Sequence, residues 1–169
     1  LLASIELRRG RSASAVKLLE TLIRRDGSTA DTLIELGLAR QSAMADSGKI
    51  LGTFQLALRH KLDPETCRLM IRLVKETGTP EELERLEALH KHAEGLQAFR
   101  DNRLEEAIPL FRLATTVAHR EQADSFYFLG ECLRHQRQRR LAVNAYRRCL
   151  ELRPQHGRAA DAVNRLGEG

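Results

Sequence analysis

The chain has 169 residues with a formal net charge of +5, and 42% of them are apolar while only 4% are aromatic. The four prolines and the lack of an alternating run of Val, Ile and Thr argue against a β-sheet. No apolar run approaches the roughly 18 to 20 residues that a membrane-spanning helix needs. The composition therefore predicts an all-α protein that packs through Leu and Ala side chains.

The first part of the chain is predicted to form five helices. An apolar stripe at its start resembles the second half of a helix that begins upstream, so we expect the natural chain to continue before Leu1. Gly10 ends this helix, and Ser12 or Ser14 is expected to cap the next one. Asp63 caps the fifth helix, which starts at a proline, a residue suited to the first helical position. The expected bounds of the later helices are about 12–25, 29–44, 48–61 and 64–77.

The second part is predicted to begin with one long helix over residues 80–101, which carries a continuous apolar stripe. The second half of this helix is predicted to be the first helix of a hairpin, and a second hairpin follows it. The last hairpin has small and large apolar residues at steps of three and four on both of its helices, and Pro154 ends it. A final helix at about 155–166 has Ala on one side and charged residues on the others, which is typical of a capping helix.

One set of spacings recurs along the chain. From Gly130 the steps are 12, 4, 3 and 5 residues, and they select a small residue, an aromatic residue, a second small residue and a helix breaker. The same steps from Gly95 and from Ala3 select similar residues, and those from Gly37 do so after one inserted residue. The four copies are Ala3, Ala15, Leu19, Leu22 and Gly27; Gly37, Ile50, Phe54, Ala57 and Leu62; Gly95, Ala107, Phe111, Ala114 and His119; and Gly130, Ala142, Tyr146, Cys149 and Pro154.

These residues resemble the tetratricopeptide repeat, in which Leu and Gly on one helix precede Ala, an aromatic residue, Ala and Pro on the next, with a period of 34 residues. Cys149 stands where the family prefers Ala, which exchanges one small residue for another. The resemblance implies a right-handed α-solenoid of antiparallel helix hairpins, with about ten helices. The small residues at Gly130 and Ala142 are expected to let two helices of one hairpin cross closely.

The spacing between copies predicts two halves. Gly37 and Gly95 are 58 residues apart, which is not a multiple of the repeat length. We therefore assign residues 1–78 to an N-terminal half with a truncated first repeat, a second repeat and a single closing helix at 64–77. Residues 79–169 form the C-terminal half, with the long helix, two repeats and the capping helix.

The residues that commonly carry chemistry do not form a recognisable group. His90 and His92 lie two residues apart, which places them on different sides of a helix, and no metal-binding or nucleophile motif is present. The three cysteines, Cys67, Cys132 and Cys149, have no metal-like spacing and are expected to be small core residues. The sequence predicts no enzymatic activity, no cofactor and no metal site.

The resemblance implies a groove lined by the first helix of each repeat, in which a partner peptide or helix binds. The residues that map to this groove are His92, Leu96, Phe99, Arg100, Tyr127, Glu131, Arg134 and His135. Leu96, Phe99 and Tyr127 are the apolar candidates, and Arg100 and Arg134 are suited to bind a carboxylate. An alternative is that Leu96 and Phe99 pack into the core. One subgroup of this family binds a terminal carboxylate through Lys and Asn at these positions. This chain has His92, Leu96, Tyr127 and Glu131 there, which argues against that ligand.

We therefore expect a non-catalytic scaffold for protein partners, in the cytoplasm rather than the periplasm. One alternative is nucleic-acid binding, because residues 122–169 hold nine Arg against five Asp and Glu. Tyr146 is the one Phe, Tyr or Trp residue between Arg134 and Arg165, and this scarcity of aromatic residues for base stacking argues against that function. Another alternative is a module that regulates or localises a larger protein.

Overall fold

The computed structural model describes residues 2–167, and within them it contains ten helices and no strand. The all-α fold of about ten helices predicted from the sequence is thereby confirmed. None of the described helices is both long and apolar enough to cross a bilayer. The helices are α1 (Leu2–Arg8), α2 (Ser12–Asp26), α3 (Ala30–Ser42), α4 (Ser47–His60), α5 (Pro64–Thr77), α6 (Pro80–Arg100), α7 (Leu104–Ala114), α8 (Gln122–His135), α9 (Arg139–Leu152) and α10 (Gly157–Gly167).

The helices fall into two compact units, Leu1–Thr79 and Pro80–Gly169. The N-terminal unit contains α1 to α5, and each helix packs against the next one along the chain. The C-terminal unit contains α6 to α10 and is built in the same way, with additional contacts between α6 and α8. Sequential antiparallel packing of this kind makes each unit a stack of helix hairpins, as in a solenoid.

Side chains immediately before the helices fix several of their starts. The carboxylate of Asp63 accepts a hydrogen bond of 2.8 Å from the Thr66 amide, and Asp46 accepts one of 3.1 Å from the Lys49 amide. Both contacts satisfy amide groups that a helix leaves without an internal partner. The predicted serine cap of α2 is wrong, because Arg11 occupies the capping position and the helix already begins at Ser12.

Four hairpins close with the same turn. The left-handed backbone conformation occurs at Gly10, Met44, Asn102 and Arg137, each seven residues after the first residue of a predicted copy. The amide of the following residue donates to the carbonyl five residues before it, over 2.8 to 2.9 Å. This is the hydrogen bond of a Schellman motif, which ends the first helix and reverses the chain. The hairpins α1–α2, α3–α4, α6–α7 and α8–α9 therefore share one register.

An aromatic ring lies against the glycine in three of these hairpins. A Cβ atom added to Gly37, Gly95 or Gly130 would lie less than 3 Å from a ring atom of Phe54, Phe111 or Tyr146, respectively. The ring of Tyr146 occupies the space beside Gly130. The close crossing of the two helices at Gly130 and Ala142 stays a prediction. All three rings are almost fully buried, so each glycine leaves the volume that its partner ring fills.

The core of the C-terminal unit combines these rings with small side chains from α6 to α10. Ala107, Ala142 and Ala159 are fully buried there, and the exposed fractions of Cys132 and Cys149 are also zero. Cys67 is buried in the N-terminal unit. The expectation that the cysteines are core residues is confirmed, and burial raises the pKa of the Cys132 thiol to about 12, so that it stays protonated and unreactive.

Candidate binding face on the C-terminal unit

The predicted groove residues come from α6 and α8, which pack beside each other. The ring of Phe99 on α6 makes edge contacts with Phe128 and His135 on α8, at centroid distances of 5.4 and 6.4 Å. Leu96, Phe99 and Arg100 follow one another at helical spacing, which places them on one stripe of α6. Leu96 and Phe99 are half-buried against the core, whereas Arg100 is exposed. The packing of Leu96 and Phe99 against the core supports the alternative in part. Their role in a groove stays a prediction.

His92 was expected in the groove, and the structure corrects this. Its side chain is only 1% exposed, and its Nδ1 atom lies 2.8 Å from Oγ of Ser125 on α8. Its ring contacts Phe111 and Phe128, with centroid distances of 5.8 and 6.3 Å. Burial lowers the pKa of this imidazole to about 4, so it is a neutral core residue and cannot reach a partner.

Tyr127 was expected as an apolar contact, and it too is buried, with 8% exposure. The rings of Tyr146 and His156 lie 5.9 and 4.8 Å from its own ring. The guanidinium of Arg158, at the start of α10, lies over it at 5.3 Å from the ring centroid. Burial raises the pKa of the Tyr127 hydroxyl. The tyrosine thus supports α10, and the residue that faces outward at this place is Arg158.

Glu131 is held from two sides. Its Oε1 atom accepts a hydrogen bond of 2.5 Å from the hydroxyl of Tyr146, and Oε2 accepts one of 2.9 Å from Arg134. Burial raises the pKa of this carboxyl, but the hydrogen bonds from Arg134 and Tyr146 outweigh it, so the pKa lies below its ordinary value. Glu131 therefore stays ionised, and its charge is balanced within the unit.

Asp124, seven residues before Glu131 on α8, has a similar arrangement. Its Oδ1 and Oδ2 atoms accept hydrogen bonds of 2.9 and 3.1 Å from Nη1 of Arg153. The Nε2 atom of the buried His156 lies 3.3 Å from Oδ1. Both acidic residues on this side of α8 are therefore engaged by partners from α8, α9 or the segment before α10.

Arg158 was not among the residues predicted for the groove, although it belongs to the arginines considered for nucleic-acid binding. It was grouped with the charged outer positions of a capping helix, but it stands 34 residues after Asp124, one full repeat length. That offset places it at the same position of a first helix as Asp124. We define the binding face as six of the eight predicted residues together with Arg158: Leu96, Phe99, Arg100, Glu131, Arg134, His135 and Arg158.

Several of the nine arginines in residues 122–169 make contacts within the unit. Arg134, Arg148 and Arg153 each pair with a carboxylate, and Arg139 donates to the backbone carbonyl of Leu166 over 2.7 Å. Tyr127 and Tyr146 are buried, so the two tyrosine rings do not offer free stacking surfaces beside these arginines. The arrangement gives little support to nucleic-acid binding. No group of three or more potential metal ligands occurs within residues 2–167.

Helix hairpins of uniform register, each with a small residue facing a ring or a large apolar side chain, define a helical repeat protein. Residues 123–156, which hold α8 and α9, match the family model described as tetratricopeptide repeat. The predicted resemblance to the tetratricopeptide repeat is thereby confirmed for this hairpin. Repeats of this class are scaffolds for protein–protein interaction and are generally not catalytic.

Several solved structures are similar to the chain. A tetratricopeptide-repeat protein from Bacteroides fragilis is 13% identical with a TM-score of 0.48, over 98% of this chain and 94% of that one. YrrB, described as a tetratricopeptide-repeat protein with an unusual peptide-binding site, is 18% identical with a TM-score of 0.44, over 95% and 87%. MamA from Desulfovibrio magneticus RS-1 is 17% identical with a TM-score of 0.43, over 92% and 93%. No curated protein matches the sequence.

Proposed function

We propose that the C-terminal unit binds an extended or helical segment of a partner protein on the binding face. The observation that carries this proposal is the half-exposed apolar pair Leu96 and Phe99, which lies beside three exposed basic side chains, Arg100, Arg134 and His135. A small apolar centre with a charged rim is typical of a protein interface. The face belongs to the first helices of the repeats, which are the helices that line the groove in this family.

Phe99 is well suited to anchor such a segment. Its ring makes edge contacts with the rings of Phe128 and His135, so little side-chain freedom remains to be lost on binding. Part of the ring and of the Leu96 side chain stays accessible to solvent. Anchors of this kind commonly provide most of the binding free energy of an interface.

A peptide selected from a randomised library against the full chain tests the proposal. NMR resonances of Leu96, Phe99 and their neighbours on the binding face should shift on titration with the selected peptide. Leu96→Ala should weaken binding about fivefold or more, as expected for an interface residue worth roughly 1 kcal/mol.

Leu113→Ala is the matched control, because Leu113 is 52% exposed on α7, the second helix of a hairpin, and lies off the face. It should leave the affinity unchanged. Equal losses for the two variants, or shifts confined to the second helices, would show that the peptide binds elsewhere.

A further inference from the structure

We propose that the turn between α7 and α8 is an acid-sensitive joint, which opens when His119 is protonated and thereby weakens partner binding on the binding face. His119 occupies the position at which the copies that start at Ala3 and Gly130 have the helix breakers Gly27 and Pro154. The release of a partner rests on the proposed function, whereas the opening of the turn does not.

The first argument is the hydrogen bonding of His119, which requires a neutral ring. Its Nε2 atom lies 2.8 Å from the carbonyl oxygen of Ala114, the last residue of α7, and its Nδ1 atom lies 3.2 Å from the amide nitrogen of Glu121. A carbonyl can only accept and an amide N–H can only donate, so Nε2 carries the proton and Nδ1 offers its lone pair. The neutral imidazole thus joins the end of α7 to the residue before α8.

The second argument is the effect of a proton on this arrangement. Both nitrogens of an imidazolium are donors, so Nδ1–H of His119 would face the N–H group of Glu121 and that hydrogen bond would be lost. Burial lowers the pKa of His119, although the hydrogen bond to Ala114 and the charge of Glu121 partly offset this. The closed turn therefore favours the neutral ring, and acid favours a different conformation of the turn.

The third argument is that an acceptor for the charged ring lies within the turn. Oε1 of Glu121 accepts a hydrogen bond of 2.6 Å from Nε of Arg120, whereas Oε2 is buried and forms no hydrogen bond within residues 2–167. A buried polar atom without a partner is unfavourable. A movement of the turn that brings Nδ1–H of His119 to this oxygen satisfies both groups. The turn thus has a closed form with a neutral ring and an open form with an ion pair.

The other titratable groups nearby do not replace His119 as the group that responds to acid. The His92 ring on α6 lies 6.1 Å from the His119 ring between centroids. Burial and, next, a charge on His119 lower the pKa of His92, so the two rings do not ionise together. Asp124 on α8 is bound by Arg153 from α9 and by His156 from the segment before α10.

Packed rings connect the joint to the binding face. The ring of His92 on α6 meets Phe128 on α8, and Phe128 meets Phe99 on α6, with centroid distances of 6.3 and 5.4 Å. If the start of α8 moves away from α6, these rings separate, because a close-packed interior transmits such displacements. Phe99 then loses the contact that positions it, and the face binds its partner less tightly.

NMR spectroscopy of the full chain tests the opening of the turn. At pH 7 the nitrogen chemical shifts of the His119 ring should show the tautomer that is protonated at Nε2. Between pH 7 and pH 5 the hydrogen-exchange protection of the Ser125 amide, which donates to the Glu121 carbonyl over 2.9 Å, should fall. We expect a fall of about tenfold, since the ordinary histidine pKa of about 6.5 lies between these values. The Ala142 amide, which donates to the Gln138 carbonyl, should stay protected and so exclude global unfolding.

His119→Gln is the informative variant, because its side-chain amide can donate to the Ala114 carbonyl and does not titrate. It should keep most of its Ser125 protection at pH 5. His60→Gln, which removes an exposed histidine of α4, is the control and should behave as the wild type. Equal falls in the wild type and in His119→Gln would overturn the joint. A wild-type His119 ring protonated at Nδ1 at pH 7 would also overturn it, and this measurement does not depend on how the variant folds.

The release of a partner is tested with an amidated peptide selected at pH 7 from a library without Asp, Glu or His, so that only the protein titrates. Between pH 7 and pH 5 the wild-type affinity should fall at least about threefold more than that of His119→Gln. An equal fall in both chains would assign the pH dependence to other groups, such as the exposed His135 on the face, and would overturn the release. A library that yields no peptide would overturn the proposed function and the release with it, while the NMR measurement still decides the opening of the turn.

Discussion

The imidazole of His92 lies in the core of the C-terminal unit, between α7 and α8. The groups that face it are Ser125, Phe111, Phe128, His119 and Asp124. Burial is the largest cause of its lowered pKa, a charged His119 lowers it further, and Asp124 raises it. The His92 imidazole therefore stays neutral in the native state at pH values at which it is already protonated in the unfolded chain.

The consequence is a pH-dependent stability. The pKa is about 4 in the folded chain and 6.5 in the unfolded one, so the unfolded state binds more protons between these values. The free energy of unfolding should fall as the pH is lowered through this window, by up to about 3 kcal/mol, and level off below it. Tyr127 and Tyr146 are the only tyrosines and there is no Trp, so tyrosine fluorescence in urea reports on this unit alone.

His92→Asn is the reference for this measurement, because it keeps a polar atom near Ser125 but does not titrate. The difference between the wild-type and variant curves should change mainly between about pH 6.5 and pH 4, because half of the histidine in the unfolded state is protonated at pH 6.5 and half in the folded state at about pH 4. A difference that stays constant from pH 8 to pH 4 would show that His92 titrates alike in both states.

The helix hairpin is the element that the chain repeats, and the contact of a glycine with a ring fixes how its two helices meet. In the N-terminal unit, α3 supplies Gly37 and α4 supplies Phe54. Since the ring is 1% exposed and enclosed by other core side chains, it has no room to move away from an added methyl group.

Substitution of two glycines of this hairpin by alanine should therefore have opposite effects on the stability of the chain. Gly37→Ala should destabilise the chain by about 1 kcal/mol or more, because an overpacking cost of about 1 to 3 kcal/mol exceeds what alanine gains in helix propensity. Gly52→Ala on α4 should stabilise it by up to about 1 kcal/mol, since nothing lies within 4 Å of the added Cβ atom. Urea denaturation followed by circular dichroism measures both, and the same sign for the two variants would contradict the packing.

For the whole molecule, the division into two units has a direct test. All buried residues of the C-terminal core cluster lie within the C-terminal unit, so we expect this unit to fold on its own. A fragment of residues 80–169 should be helical and should show a cooperative urea transition in tyrosine fluorescence. The fragment of residues 1–79 has neither Tyr nor Trp, so circular dichroism is its measurement. A C-terminal fragment with tyrosines as exposed as in urea would show that the unit needs the rest of the chain.

The sequence by itself determined the helices and their repeat. Apolar residues at steps of three and four mark one side of a helix, and Pro, Gly and capping residues mark its ends, because these depend on local backbone chemistry. The spacing of Gly37, Gly95 and Gly130 from their aromatic partners gave the register of the hairpins. The shared turn was harder to predict from the sequence, because Met44, Asn102 and Arg137 adopt the left-handed conformation that is usually found at glycine.

Only the tertiary structure decided which side chains of that register reach the solvent. Helical spacing gives the direction of His92 and Tyr127 on their own helices, but their burial depends on what the neighbouring helices place over them. Phe111 and Phe128 enclose the first, and His156 and Arg158 cover the second. Exposure is a property of two surfaces in contact, and a local pattern describes only one of them.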